Sequence, residues 1–294
     1  MPRFSANIST LFPDLPFLDR FAAAREAGFR AVEIQVPYAL PAEDVAAARR
    51  KAGVGIALIN FPVGDFYDGG PGLAAMPGHE AEFRAAVETG LRYALELRPR
   101  SMNVLAGAPP AALGRERCME TLALNLRHAA TVMAEAGVAV TVEAVNPIDR
   151  PGFFLTTTAD ALAAIDWADH PNLKAQYDIY HMQIVEGDLT RTLETHIGRI
   201  GHIQFADVPG RGEPGTGEIN FTHLFETIDR LDYADWVGAE YVPTAATGET
   251  LGWFRPHRRA QRWRARRGGG GETGPEIDEP ARTEVVIDED LTFG

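Results

Sequence analysis

Short runs in which apolar and polar residues alternate recur along the chain, and several stop at a side-chain oxygen. In "LKAQYD", Leu173, Ala175 and Tyr177 alternate with Lys174 and Gln176 before the run ends at Asp178. Alternation with a period of two marks a β-strand. Asp178 is therefore expected at a strand's carboxyl end. The runs "VAVTVEAV", "IGHIQFAD" and "WVGAEYV" follow the same pattern and deliver Glu143, Gln204 and Glu240. Successive members of this series lie 35, 26 and 36 residues apart, close to the roughly 30 residues of one strand-plus-helix unit.

Elsewhere the pattern switches between strand and helix. "RFSANIS" predicts a first strand over residues 3–9. Asp14 and Pro16 are helix-start signals, and "FLDRFAAAREAG" places Phe17, Leu18, Phe21 and Ala22 on one helical face. Gly28 ends that helix, and "FRAVEIQV" supplies the second strand. The junction recurs in "EAGFRAVEI", "KAGVGIALI" and "EAGVAVTVE", each of which closes a helix with Ala-Gly and enters a strand directly. Glycine there adopts the left-handed conformation that satisfies the last helix carbonyls. Strands alternating with helices imply parallel pairing. The remaining pattern predicts strands over 55–60 and 101–105, and helices over 80–97, 115–136, 159–167, 189–197 and 221–231. Long loops fall at 61–78, at "NPIDRPGFFLTT" and at "DVPGRGEPGTGEIN".

Eight strands and about eight helices are complete by Pro256, which suits a parallel barrel of roughly 250 residues. A doubly wound open sheet is the rival, but it spreads its strand ends along a line. Only a closed ring brings the ends of strands five to eight to one point. The expectation is a single (β/α)8 TIM barrel, an α/β catalytic domain over residues 1–257. From residue 258 a basic run, "RRAQRWRARRGGGG", gives way to an acidic stretch without useful patterning, which predicts a disordered tail over 258–294.

Composition narrows the partners. The 294 residues are 45% hydrophobic and carry a formal net charge of −13. Such a field repels polyanions, so nucleic acid is a poor partner, while a small anion is allowed if a local cation and an arginine offset that field. Cys118 is the single cysteine and cannot close an intrachain disulfide, which fits a reducing compartment. No apolar run reaches the roughly 18 residues of a membrane span. A soluble cytoplasmic protein without a membrane partner is expected, and a homo-oligomer stays open.

The chemistry follows from the strand ends. Carboxylates about 4 Å apart repel by roughly 4 kcal/mol at a moderate dielectric, so Glu143, Asp178 and Glu240 converging on one point require a cation or shared protons. With the amide oxygen of Gln204 they form an oxygen set suited to Mg2+ or Mn2+. Asp178 read alone is equally an N-cap for the next helix. His181, three residues beyond it, can face the same pocket and donate to a substrate oxygen. "GRGEPG" formally matches a dinucleotide fingerprint, but Pro214 and Gly217 prevent a helix from starting at the third glycine. The loop is better read as an arm that carries Arg211 over the strand ends, where it can clamp an acidic substrate.

The motifs "QYDIYHMQ", "GHIQFAD", "GRGEPGTGEIN" and "WVGAEYVP", with "RFSANIS" and "AGFRAVEIQVPY" near the start, closely resemble the hydroxypyruvate isomerases and the neighbouring 2-oxo-tetronate isomerases of the xylose isomerase-like barrel superfamily. The resemblance runs from about Pro2 to Trp253. It implies a (β/α)8 barrel of glyoxylate metabolism that interconverts hydroxypyruvate and tartronate semialdehyde. It implies proton donor and acceptor roles for Glu143 and Glu240, and a divalent metal on Glu143, Asp178, Gln204 and Glu240. It also puts His181 and Arg211 on the substrate. The family usually carries a basic residue after the tyrosine of its "EY" motif, where this chain has Val242, and the tail has no counterpart.

The resulting expectation is an aldose–ketose isomerase acting through a metal-stabilised enediolate with two glutamates as acid and base. The alternatives are an isomerase or epimerase of another small sugar or sugar acid such as 2-oxo-tetronate, a barrel-type metal-dependent phosphodiesterase, and a non-catalytic binding protein.

Overall fold

A computed structural model describes residues 1–257. The expected tail over 258–294 lies outside the described residues. Eight strands run β1 (Arg3–Asn7), β2 (Ala31–Ile34), β3 (Gly55–Asn60), β4 (Ser101–Val104), β5 (Ala139–Glu143), β6 (Leu173–Asp178), β7 (Ile200–Phe205) and β8 (Trp236–Ala239). They close in sequence order into a barrel. Every neighbouring pair is parallel, including β1 with β8. The helices that return the chain are α1 (Arg20–Ala27), α2 (Ala42–Ala52), α3 (Glu80–Leu97), α4 (Arg115–Glu135), α5 (Thr158–Ala168), α6 (Ile179–Val185), α7 (Leu189–His196) and α8 (Phe221–Arg230), followed by the short α9 (Thr247–Thr250). The closed ring expected from the converging strand ends is present.

The Ala-Gly junctions do what their chemistry predicts. Gly28, Gly53 and Gly137 have φ of 110°, 65° and 70°, and Gly28 and Gly53 donate their N–H groups to carbonyls of the preceding helix turn. Each helix can thus stop and turn into a strand within one or two residues.

Several boundaries differ from the sequence reading by a residue or two, and at two of them a polar residue sets the change. The first strand stops at Asn7 rather than continuing to residue 9. The Asn7 carbonyl accepts from Thr10 and Leu11 N–H, and its Oδ1 accepts from Ser9 N–H, which turns the chain. After β6 the chain enters α6 at once, because Asp178 Oδ1 accepts the Tyr180 N–H at 2.8 Å and caps the helix.

Side chains two apart on a strand share a face, and this divides the barrel. Phe4, Val32, Val142, Tyr177 and Phe205 face outward and are buried beneath the helices. Phe4 and Phe205 pack edge-on against Phe225 of α8, with ring centroids 4.8 and 5.2 Å apart, contacts worth about 0.5–1.5 kcal/mol beyond area burial. The interior is instead polar. Glu33 of β2 is 0% exposed and accepts hydrogen bonds from Ser5 Oγ (2.5 Å), His202 Nε2 (2.9 Å) and Gln204 Nε2 (2.8 Å). Three donors compensate a carboxylate whose burial would otherwise cost several kcal/mol. Gly238 of β8 makes room for it: a Cβ there would lie 1.9 Å from Glu33 Oε1.

Candidate active site

The upper end of this polar interior opens into a cavity lined by Glu143, Glu240, His181, Arg211, Gln204 and Gln176 together with Asn7, Gln35 and Asn60 from the first three strands and their exits. The loops after β3 and β5 close one side with Phe66, Tyr67, Arg150 and Phe153. Carboxyl ends of parallel barrel strands are where such loops converge.

Every side chain singled out from the sequence lies at or beside this cavity. Glu143 ends β5 and accepts from Asn103 Nδ2 at 3.0 Å. Glu240 follows β8; its Oε1 accepts from Asn7 Nδ2 and Gln35 Nε2, both at 2.8 Å, and its Oε2 from Arg211 Nη2 at 2.9 Å. Asp178 caps α6 and stands close enough to Glu143 and His181 for one atom from each to lie within 4.8 Å of the others. Gln204 is oriented by its neighbours: its amide donates to Glu33, while its Oε1 accepts from Gln176 Nε2 at 2.6 Å.

The long loop after β7 carries Arg211, as its glycine content suggested. Asp207 organises that loop by accepting the N–H groups of Val208, Gly215, Gly217 and Ile219. Arg211, at φ 54°, then reaches over the strand ends. Its Nη2 lies 2.9 Å from Glu240 and 3.9 Å from Asp178, its Nη1 lies 3.8 Å from Asp149, and the guanidinium stacks 4.9 Å over the Tyr180 ring. Val242 is exposed, and its backbone N–H donates to the Arg211 carbonyl at 2.8 Å.

Burial dominates the titration of the site. It pushes Glu143 well above the usual carboxylate range, and Asp178 and Glu240 add to the rise while Arg211 and Asn103 oppose it. Asp178 and Glu240 are raised by the same desolvation, with Arg211 pulling both back. Burial alone would lower Arg211, but attraction to Glu240, Asp178 and Glu143 outweighs it and the pKa rises. His181 is driven down to about 3 by burial and by Arg211, so its ring is neutral at physiological pH.

The neutral ring has a defined tautomer. Asn146 Oδ1 accepts the Ile148 and Asp149 N–H groups at 3.0 and 2.8 Å, so its NH2 must face His181 Nδ1, 2.6 Å away. Nδ1 is then the acceptor, and Nε2 carries the proton toward the cavity.

These constraints bear on metal binding. Ionised together, the three buried carboxylates and one guanidinium would carry two net negative charges, which fits a divalent cation held by hard oxygens. His181 is close enough to join them, but a ring whose Nδ1 accepts from Asn146 cannot offer an unprotonated Nε2. It fits a hydrogen-bond donor better than a ligand.

Sequence reading missed Asn7, Gln35, Asn103, Asn146 and Gln176. For Asn7 and Asn103 the signal was present, since each stands at or near a strand's carboxyl end as Glu143 does on β5. Nothing local in the sequence marks Asn146, whose importance is the ring it faces.

Residues 21–257 match the family model described as xylose isomerase-like TIM barrel. The chain is 45% identical over 258 residues to the hydroxypyruvate isomerase of Escherichia coli, covering 88% of this chain and 100% of that protein. It is 46% identical over 257 residues to the 2-oxo-tetronate isomerase of Cupriavidus necator, covering 87% and 99%. A solved structure named as an AP endonuclease, family 2, from Brucella melitensis superposes with a TM-score of 0.85 at 41% identity, covering 88% of this chain and 100% of that one. The chain therefore belongs to the xylose isomerase-like TIM barrel family, within its group of hydroxypyruvate and 2-oxo-tetronate isomerases.

Proposed function

We propose that the protein is an aldose–ketose isomerase that interconverts hydroxypyruvate and tartronate semialdehyde. The observation that carries this reading is the pair of buried glutamates, Glu143 and Glu240, which face one cavity from strands three places apart in a ring of eight. The shift requires a proton to leave C3 of hydroxypyruvate and a proton to arrive at C2, with the hydroxyl proton passing from O3 to O2. Two carboxyl groups approaching from different directions can divide that work, each contributing about a hundred- to ten-thousand-fold. Arg211 at 2.9 Å favours the ionised form of Glu240, which suits it to take the C3 proton. Glu143, which burial and the neighbouring carboxylates Asp178 and Glu240 push toward its protonated form, is suited to return one at C2. His181 donates from Nε2 to the oxygen on which negative charge develops, and Arg211 lies against the same substrate face.

A divalent cation, Mg2+ or Mn2+, held by Glu143, Asp178, Glu240 and the amide oxygen of Gln204, would supply Lewis-acid polarisation of the substrate carbonyl. The substrate is a small anionic hydroxy-keto acid, and the protein works in the cytoplasm, where the buried thiol of Cys118 stays reduced.

The similarity to the Cupriavidus 2-oxo-tetronate isomerase supports a second reading, the same chemistry on a substrate one carbon longer. A substrate panel separates the two. A phosphodiesterase, suggested by the name of the Brucella protein, fits less well: His181 is the one histidine lining the cavity among the described residues. The test is an assay of purified protein with hydroxypyruvate, following tartronate semialdehyde, with Glu143→Gln and Glu240→Gln alongside. Wild type should turn over and both variants should fold but fail. Absence of product from wild type supplied with Mg2+ or Mn2+ overturns the proposal, and binding without turnover identifies a non-catalytic protein.

A further inference from the structure

We propose that Arg150, in the loop after β5, anchors the substrate carboxylate and so makes the site select an acid over a neutral sugar. The inference deepens the isomerase reading and rests on it. Arg150 lines the cavity with Glu143, Glu240 and His181. Its backbone is fixed in a tight turn: its N–H donates to the Asn146 carbonyl at 3.2 Å, and its carbonyl accepts from Phe153 at 3.1 Å. The guanidinium lies over the faces of Phe66 and Tyr67, 5.7 and 5.8 Å from the ring centroids. Among the described residues it pairs with no carboxylate.

Arg211 is the other guanidinium lining the cavity, and its donors already face Glu240, Asp178 and Asp149. A substrate carboxylate there would be a fourth anion sharing one positive charge, and only the bond to Glu240, at 2.9 Å, is a hydrogen bond. The clamp role expected of Arg211 therefore passes to Arg150, which has no carboxylate to release.

Charge balance leads to the same residue. Ionised around a divalent cation, the three buried carboxylates and Arg211 leave two negative charges, which the cation offsets. An anionic substrate then adds another, and Arg150 is the remaining positive side chain on the cavity wall. Arg150 is exposed at the cavity wall, and the two aromatic rings beside its guanidinium leave its N–H edge without a carboxylate partner, available for the fork geometry that matches one. Val242, at the rim, offers no charge.

The test compares wild type, Arg150→Gln and Arg150→Lys. One arm measures turnover of hydroxypyruvate and of dihydroxyacetone, its neutral counterpart with a hydroxymethyl group in place of the carboxylate. The other measures calorimetric binding of glycerate and of glycerol, which needs no turnover. Loss of a charge-assisted contact predicts that Arg150→Gln weakens glycerate binding and raises the hydroxypyruvate KM by about 10- to 100-fold. The preference for acid over neutral compound should collapse, kcat should move much less than KM, and lysine should restore part of the effect. Arg150→Gln binding glycerate as wild type does, or a wild type that binds glycerol as well as glycerate, overturns the proposal. A wild type that binds glycerate through Arg150 but isomerises neither compound overturns the isomerase reading instead.

Discussion

Asn146→Asp isolates the contribution of one proton position. Asn146 keeps its NH2 on His181 Nδ1 because its Oδ1 already holds two backbone N–H groups. A carboxylate in its place preserves those two backbone bonds and removes the donor. The ring proton is then drawn to Nδ1, and Nε2 faces the cavity as a bare acceptor, 3.5 Å from Asp178 Oδ2. A hydrogen bond from a neutral donor to a charged oxygen is worth about 1.5–3 kcal/mol, so kcat should fall about 10- to 160-fold at 1.36 kcal/mol per decade. KM should change less, because the oxygen gains its charge only as the reaction proceeds. Steady-state turnover of hydroxypyruvate measures the loss. Two-bond proton–nitrogen NMR on histidine-labelled protein reads the tautomer, with His181→Asn assigning the resonance. A ring that carries its proton on Nδ1 while kcat stays within about threefold of wild type would refute the donor role. A fall in kcat with the proton still on Nε2 would assign the effect to something other than the tautomer.

Three further outcomes are expected. Gly238→Ala drives a methyl group into Glu33 and should cost about 3 kcal/mol from overpacking and strained hydrogen bonds. That corresponds to a fall in Tm of about 6–12 °C for a domain of this size, and an unchanged thermal midpoint would show that the interior repacks freely. The raised carboxyl groups also tie stability to pH: without a cation, folded protein holds protons on Glu143, Asp178 and Glu240 that the unfolded chain releases near ordinary carboxylate values. Their stabilising contribution is complete below about pH 4 and is lost as pH rises through the raised native values. The wild-type advantage over Glu143→Gln should therefore shrink from acid toward neutral pH. Added Mn2+ should raise the wild-type midpoint at neutral pH and lose that effect on acidification, because it binds the ionised forms. Thermal scans from pH 5 to 8 with and without the ion check both trends, and a midpoint indifferent to Mn2+ throughout would remove the metal from the proposal.

The ring of strands was legible because its signals are local. Three Ala-Gly junctions fix three helix-to-strand turns, and the period-two runs place Glu143, Asp178, Gln204 and Glu240 at strand ends without reference to anything distant. Asp178 as a cap was legible for the same reason, being settled two residues away at Tyr180. The partners of the cavity were not. Arg211 meets Asp149, Asp178 and Glu240 across three elements, and Asn7 reaches Glu240 from the opposite end of the chain. Such contacts exist only once the barrel closes. The polar interior also escaped a reading in which inward positions count as core: Glu33, His202 and Gln176 lie where an apolar filling would be the first expectation, and only their mutual hydrogen bonds explain them.

The Glu33 cluster has a consequence for how the ring comes apart. The seam between β1 and β8, where the two ends of the sheet meet, is where a closed cylinder would be expected to unzip first. Glu33 sits across it, holding Ser5 of β1 on one side and His202 and Gln204 of β7 on the other, with the backbone of Gly238 between them. Parting that seam takes His202 and Gln204 away from Glu33 as well as breaking the β1–β8 backbone pairing, so the last stave to join is fastened by side chains as well as by its ladder.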